Sequence, residues 1–327
     1  MTDVLTIGEA MASLRSHSAL RLGGAVRLSI AGSESNVAIG LSRLGHRAAW
    51  IGAVGDDEPG QLVLRTLRAE GVDVSGARVS DTSFTGFIAF DQPAHDVTRV
   101  SYHRRGSAGA MVSREDAEVG LERLRPRVVH VTGITPALSP EARAATEYVV
   151  QAAAAQGSIV SLDVNFRRRL WSEKEAAACL RPLIPSASIV FASADELGIL
   201  TDAGADASGG AGVDGDGGAG AAVAAVLEAG PREVVVTAGG EGAWTHSPAG
   251  VVHRAARKTV VVDSIGAGDA FVAGYLSGVL DELPVEGRLE RAVACGAFCV
   301  GVRGDWEGLP TRDELALLGH DPGSALR

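Results

Sequence analysis

The residues of this chain best placed for chemistry lie together in Asp263-Ser264-Ile265-Gly266-Ala267-Gly268-Asp269-Ala270-Phe271. A β-branched run, Thr259 to Val262, leads into the turn. Apolar residues at helical spacing (Phe271, Val272, Tyr275, Leu276, Val279, Leu280) leave it. The pattern predicts strand, turn, helix. The first amides of a helix have no intrahelical acceptor and its dipole is positive there. Gly266 and Gly268 leave that backbone bare, which suits a phosphate. Asp269, in the first helical turn, adds a carboxylate to the same small volume. Phosphoryl transfer to a hydroxyl requires such a pair: a cradle for developing charge and a base for the alcohol. An Asp that merely complements the helix dipole above two turn glycines would leave the same pattern, and spacing alone does not separate the two.

Three further groups could meet a ligand. Ala31-Gly32-Ser33-Glu34-Ser35-Asn36 opens an apolar-periodic helix; its bare turn exposes amides, and Asn36 offers both donors and acceptors. Capping by Ser33 or Ser35 accounts for the serines equally, with Ser35 the expected cap. Thr237-Ala238-Gly239-Gly240-Glu241-Gly242-Ala243 follows a Val-rich strand. Glycines there let a nucleotide approach the backbone, or simply turn a hairpin. Arg104-Arg105 and Arg167-Arg168-Arg169 concentrate positive charge in a chain whose formal net charge is −10. They suit a small anionic ligand or a solvated surface.

The elements that must position these groups alternate from Val128 onward. Strands are expected at Val128 to Val131, Ile159 to Val164, Ile189 to Phe191, Glu233 to Thr237, Val251 to Arg254 and Thr259 to Val262. Helices are expected at Pro140 to Gln156, Glu173 to Leu183, Ala194 to Leu200, Ala221 to Ala229 and Arg288 to Val300. That rhythm predicts an α/β protein with a parallel sheet covered on both faces and ligands at the carboxyl ends of its strands. Upstream, Val4 to Ile7 and Ala48 to Val54 read as strands and Gln61 to Glu70 as a helix. Phe84 to Phe90 and Arg99 to His103 read as antiparallel strands joined through Asp91-Gln92-Pro93. The glycine-rich stretch 204–220 reads as a mobile loop.

With 327 residues and 46% hydrophobic content, the chain can bury a large core, built mainly of Ala, Val, Leu and Ile because aromatics are only 4%. The acidic balance argues against nucleic acid or an anionic membrane as the main partner. No apolar run reaches transmembrane length, and Met1 to Ala10 reads as a strand rather than a signal peptide. Three cysteines do not make a disulfide framework. Cys295 and Cys299, four apart on an apolar helix, read as core packing rather than metal ligands. A cytoplasmic protein is expected.

The turn around Asp269 resembles the signature of the ribokinase-like, or phosphofructokinase-B, family of sugar kinases, with Ser264 where many members carry Thr. The resemblance extends over roughly residues 3–312. It implies a three-layer α/β/α sandwich with a mainly parallel sheet and a small β-sheet lid, formed by stretches at about 11–31 and 84–103 and often used for dimer contact. A homo-oligomer through that lid is therefore expected, with the kinase domain over 1–320 and a tail at 321–327. Within the family, Tyr102-His103-Arg104-Arg105-Gly106-Ser107-Ala108 and Asp163-Val164-Asn165-Phe166-Arg167-Arg168-Arg169-Leu170-Trp171 are similar to segments of 2-keto-3-deoxygluconate kinases, as is Gly133 to Ser139. His103 and Ile88 depart from that subgroup at positions where it often carries Tyr.

The resemblance also implies roles. Asp269 would be the base, with the amides of Gly266, Ala267 and Gly268 as the anion cradle. Gly32, Ser33, Asn36, Tyr102 and His103 would face the sugar, and Arg104 and Arg167 would pair with a substrate carboxylate, as guanidinium forks do. Arg105, Arg168 and Arg169 would remain solvated. ATP would lie against Asn165, Ser193, Thr237, Gly239, Gly240, Gly242 and Gly268, and Glu196 would orient water on Mg²⁺. Asp263 is read as shaping the turn or a nearby monovalent-cation site. The activity implied is phosphorylation of a sugar acid by ATP. A kinase for a neutral sugar (fructose, ribose or a nucleoside) and a catalytically silent sugar-binding regulator are the alternatives.

Overall fold

The structure, a computed structural model, describes residues 2–94, 97–201 and 218–319. In chain order the elements are β1 (Val4–Ile7), β2 (Met11–Arg15), β3 (Arg27–Ala31), α1 (Ser33–Arg43), β4 (Ala48–Ile51), β5 (Ala53–Gly55), α2 (Glu58–Ala69), β6 (Arg78–Ser80), β7 (Phe87–Ala94), β8 (Val97–His103), α3 (Arg114–Leu124) and β9 (Val128–Thr132). There follow α4 (Pro140–Ala155), β10 (Ile159–Asp163), α5 (Glu173–Leu180), β11 (Ile189–Ser193), α6 (Leu197–Leu200), α7 (Gly218–Glu228), β12 (Glu233–Thr237), β13 (Ala243–Ser247), β14 (Gly250–Arg254), α8 (Ala267–Leu280) and α9 (Val285–Val300).

Eight strands form the main sheet in the order β14-β13-β12-β11-β10-β9-β1-β4. It is parallel from β12 to β4, and β13 and β14 add an antiparallel edge. Successive side chains of a strand point to opposite faces, and the core divides accordingly. Val128 and Val235 join one apolar cluster with α1, α2, α8 and α9. Val129, Val234 and Val236 join another with α3, α4, α5 and α7. Helices on both faces bury such strands completely, so they read as continuous β-branched runs. The layers make a three-layer α/β/α sandwich.

A second sheet, β3-β2-β7-β8, lies over one end of the first and forms the lid. Met11, Ala31, Ile88 and Phe90 make its small apolar core, against which Val100 and Ile265 pack.

Several expectations are corrected. Thr259 to Val262 forms no strand: Val260 is 78% and Val261 67% exposed, because β14 is the sheet edge and no further strand accepts the run. Asp91, Gln92 and Pro93 lie inside β7 and do not form its turn; the pairing with β8 shifts register between Asp91 and Ala94. The helix expected from Ala194 begins only at Leu197, and Ala48 to Val54 is two strands, β4 and β5. Ser33 and Ser35 do not cap α1. An N-cap side chain must accept an amide proton, whereas Ser35 Oγ donates to the Gly32 carbonyl at 2.8 Å and Ser33 Oγ donates elsewhere. Of the stretch 204–220, the last three residues begin α7 and the rest lies outside the described residues, as does the tail 321–327.

Candidate active site

The carboxyl ends of the sheet strands, the N-termini of α1 and α8 and the lid enclose a cavity of about 410 Å³. Gly266 is the N-cap of α8 in the left-handed conformation (φ 78°), and a Cβ there would overlap the Asp305 carbonyl oxygen. Only glycine fits. No side chain caps this terminus, and Ala270 N–H returns to the Gly266 carbonyl at 2.9 Å. A Cβ on Gly268 would meet nothing within 4 Å, so this residue presents bare backbone to the cavity. Ala267 does not line the cavity. Its amide turns back to the Ser264 carbonyl at 3.3 Å, which corrects its expected place in the cradle.

Asp269 is 9% exposed. Ser33 Oγ donates to its Oδ1 at 2.6 Å and Asn36 Nδ2 to its Oδ2 at 2.7 Å. Asn165 Nδ2 donates in turn to Ser33 Oγ at 3.0 Å and to Asp163 Oδ2 at 3.1 Å. Asn165 is itself left-handed (φ 40°), a conformation Asn tolerates better than most residues. Burial pushes the Asp269 carboxyl above the ordinary aspartate range, while Ser33, Asn36 and the charge of Arg167 pull it back. Asn36 Oδ1 is buried with no partner among the described residues, and Asn36 lines the cavity. A buried lone acceptor beside a carboxylate suits a hydroxyl donor.

Gly32, Ser33, Asn36, Tyr102, Arg104 and Arg167 line this cavity. His103 does not; its ring stacks on Phe87 at 4.3 Å between centroids on the exposed side of the lid. Ile88 lines the cavity from the lid. Arg104 Nε donates to Glu9 Oε2 at 2.6 Å, and Ser107 Oγ donates to Glu9 Oε1 at 2.7 Å. Arg167 has no carboxylate within ion-pair distance among the described residues; its nearest polar contact is a long 3.4 Å bond to the Phe166 carbonyl. Arg168 pairs with Glu173 at the surface, whereas Arg169, expected to be solvated, donates to the Val100 carbonyl at 2.7 Å and ties its loop to the lid.

On the other side, Asn165, Ser193 and Thr237 line the cavity, but Gly239, Gly240 and Gly242 do not. Gly242 (φ 101°) is required by the edge strands, since a Cβ would overlap the Arg254 carbonyl. Glu196 accepts the amides of Phe166 at 2.6 Å and Ser193 at 2.8 Å. Burial and the charges of Glu196 and Asp269 push the Asp163 carboxyl well above the usual range. Among the described residues no three side chains form a closed metal cage. Asp163, whose carboxyl is pushed upward beside the charge of Glu196, nevertheless fits a hydrated Mg²⁺ together with Glu196. Cys295 and Cys299 are buried, burial pushes both thiols to about 12, and both belong to the core cluster.

Sequence reasoning missed Glu9, Asp163, Arg15 and Asp305. It also missed Glu34, which is buried, accepts Thr132 and Thr135 hydroxyls and lines the cavity. Gly8 is the one trace of Glu34, since a Cβ there would overlap its carboxylate.

The fold is that of a sugar kinase. The model of the pfkB family carbohydrate kinases matches residues 1–312, and the chain belongs to that family. It is an ATP-dependent carbohydrate kinase of ribokinase-like fold. It is 34% identical over 323 residues to the 2-dehydro-3-deoxygluconokinase of Bacillus subtilis, covering 96% of this chain and 94% of that protein. It is 31% identical over 295 residues to a fructokinase of Klebsiella pneumoniae, covering 87% and 90%. The crystal structure of a PfkB protein from Polaromonas superposes with a TM-score of 0.82 at 32% identity, covering 96% of this chain and 99% of that one. Among the described residues no helix is long and apolar enough to cross a membrane.

Proposed function

We propose that the chain phosphorylates a terminal hydroxyl of a sugar acid of the 2-keto-3-deoxygluconate type, as one kinase domain over residues 1–320. The observation that carries this reading is Arg167. It lines the cavity with no acidic partner among the described residues, in the same cavity as the buried Asp269. An unpaired guanidinium there favours an anionic substrate. The name of the Bacillus subtilis relative points the same way.

In the proposed reaction Asp269 accepts the proton of the substrate hydroxyl as that oxygen bonds to the γ-phosphorus of ATP. The bond from phosphorus to the β–γ bridging oxygen breaks, and ADP leaves. Ser33 and Asn36 hold the carboxylate for this step, and Asn36 Oδ1 accepts a second sugar hydroxyl. The Gly266 and Gly268 backbone faces the transferring group. Asp163 and Glu196 would hold Mg²⁺ through its water, and the ion supplies charge neutralisation for the phosphates. The lid excludes water. Its exposed Leu28 and Val97 support a homo-oligomer through this sheet.

A coupled ADP-release assay over sugar acids and their uncharged analogues tests the substrate. Arg167 is exposed, so its loss should cost less than the roughly 2–5 kcal/mol of a buried charge pair, but Arg167→Met should still lose kcat/KM for the acid more than for the analogue. Equal losses would assign the arginine to fold or nucleotide. A neutral ketose is the second reading, favoured by Glu9, which neutralises Arg104, and by the fructokinase relative. Wild-type preference for the neutral analogue would establish it.

A further inference from the structure

We infer that Arg15 is a positioning residue that latches the lid to the turn carrying Gly266 and Gly268, an inference that rests on reading this turn as the phosphate cradle. Arg15 ends lid strand β2. Its Nη1 donates to Asp263 Oδ2 and its Nη2 to Asp305 Oδ2, both at 2.8 Å, and its guanidinium lies 4.0 Å above the Phe90 ring. The side chain is 10% exposed and those of Asp263 and Asp305 are 14% and 8% exposed.

Each carboxylate is tied to the turn from a different side. Asp263 Oδ1 accepts the Ile265 amide at 3.1 Å, and the Asp305 carbonyl packs against Gly266 so closely that a side chain there would collide with it. One planar fork thus fixes both flanks of the cradle, which a compact ammonium could not do. The lid reaches the same turn twice more. Ile265 packs against the lid core, and Ser29 Oγ of β3 donates at 2.8 Å to Glu307, whose other oxygen accepts the Asp305 amide at 3.0 Å.

A buried ion triad is weak evidence for stability, because desolvation offsets its attraction. Its geometric effect is the stronger one: the cradle is in register only when the lid is seated. Lid position and phosphate site then move as one unit, which lets closure over the sugar complete the site for transfer.

Steady-state kinetics and melting temperature of Arg15→Met, Arg15→Lys, Asp305→Asn and the Arg15→Met/Asp305→Asn double variant test the latch. Misplacing a reacting group by ~1 Å costs up to roughly 10²-fold. Arg15→Met should therefore lose about 10- to 100-fold in kcat while the sugar KM changes less than about threefold. Because both changes open one latch, the double variant should be no slower than the slower single one. A kcat within about threefold of wild type in folded Arg15→Met, or single losses that multiply in the double variant, would overturn the inference. If Arg15→Met does not fold, Arg15→Lys decides, since an ammonium holds one carboxylate at a time: wild-type kcat there refutes the latch. Gly268→Val separates the two levels. Normal turnover in that variant removes the cradle reading itself, whereas an impaired Gly268→Val beside a normal Arg15→Met removes the latch alone.

Discussion

Replacing Ser33 with alanine should move the acid limb of the kcat profile upward while leaving the proposed base in place. Burial already raises the Asp269 carboxyl, and Ser33, Asn36 and Arg167 only partly counter it. The Ser33 hydroxyl, 2.6 Å from Oδ1, stabilises the charged form. Hydrogen bonds to charged groups contribute about 1.5–3 kcal/mol. Water or the sugar hydroxyl can partly replace this one, so the lower end applies. At 1.36 kcal/mol per tenfold, the variant should hold roughly tenfold less ionised base at a pH on the acid limb. The sign follows from what is lost: removing a donor favours the protonated acid, so the limb moves to higher pH, and at a pH where Asp269 is ionised in both proteins kcat should recover. The assay is kcat at saturating sugar and ATP across limb and plateau, with Asp269→Asn beside it. That reference should lose roughly 10²–10⁴ at every pH. An unmoved or lowered limb in Ser33→Ala, or near-normal turnover in Asp269→Asn, would refute the assignment of the base.

Gly268→Val should fold with a nearly unchanged melting temperature and turn over poorly, because its side chain meets only cavity. Gly266→Ala should lose stability first, since its Cβ meets the Asp305 carbonyl at a left-handed position; a normal melting temperature would contradict this. Arg167→Met should lower kcat/KM for a sugar acid more than Arg104→Met does, because Glu9 already neutralises Arg104; the reverse order would show that the Arg104–Glu9 pair opens for the substrate. Burial pushes the fully enclosed His130 ring, 2.9 Å from Ser161 Oγ, down to about 3. The unfolded chain takes up a proton near 6.5 that the folded chain refuses, so stability present above that pH is lost as pH falls toward 3. The melting temperature of His130→Leu should fall less steeply through this window, and equal slopes would place the acid sensitivity elsewhere.

The sheet was legible because its central strands are buried on both faces, which leaves unbroken runs such as Val128-Val129 and Val234-Val235-Val236. The same signal misled at Thr259 to Val262, where β-branched residues lie beyond the edge strand with nothing to pair with; propensity describes a fit to a neighbour, and there is none. Local motifs announced Asp269, Gly268 and Asn36 because each sits at a turn or helix terminus with its own spacing, whereas Arg167 stood out only through the resemblance of its segment to sugar-acid kinases. The polar partners of the site left no such trace. Arg15 and Asp305 are 290 residues apart and Glu9 and Arg104 are 95 apart, so only the tertiary fold brings them together. The glycines of Gly239 to Gly242 illustrate the converse: a turn glycine reports a tight backbone, and at Gly242 the tightness comes from the adjacent strand end.

On the proposed reading, the distribution of charge lets an acidic cavity receive two anions. Glu9, Glu34, Asp163, Glu196, Asp269 and Asp305 all line it. Most are already answered by the protein: Glu9 by Arg104 and Ser107, Glu34 by two threonines, Glu196 by two backbone amides and Asp305 by Arg15. Asp163 and Asp269, like Glu34, have only neutral donors in contact, and burial pushes all three carboxyls upward, as it does Asp305; of these, Asp163 also feels the charges of Glu196 and Asp269. Asp163 is where an arriving cation would relieve the most repulsion, whereas Asp269, between two neutral donors, keeps its affinity for a proton. Arg167 answers neither in contact, and in the proposed reading its charge is left for an anionic substrate. In the proposed mechanism, their neighbours alone separate two carboxyls of one cavity into a cation partner and a proton acceptor.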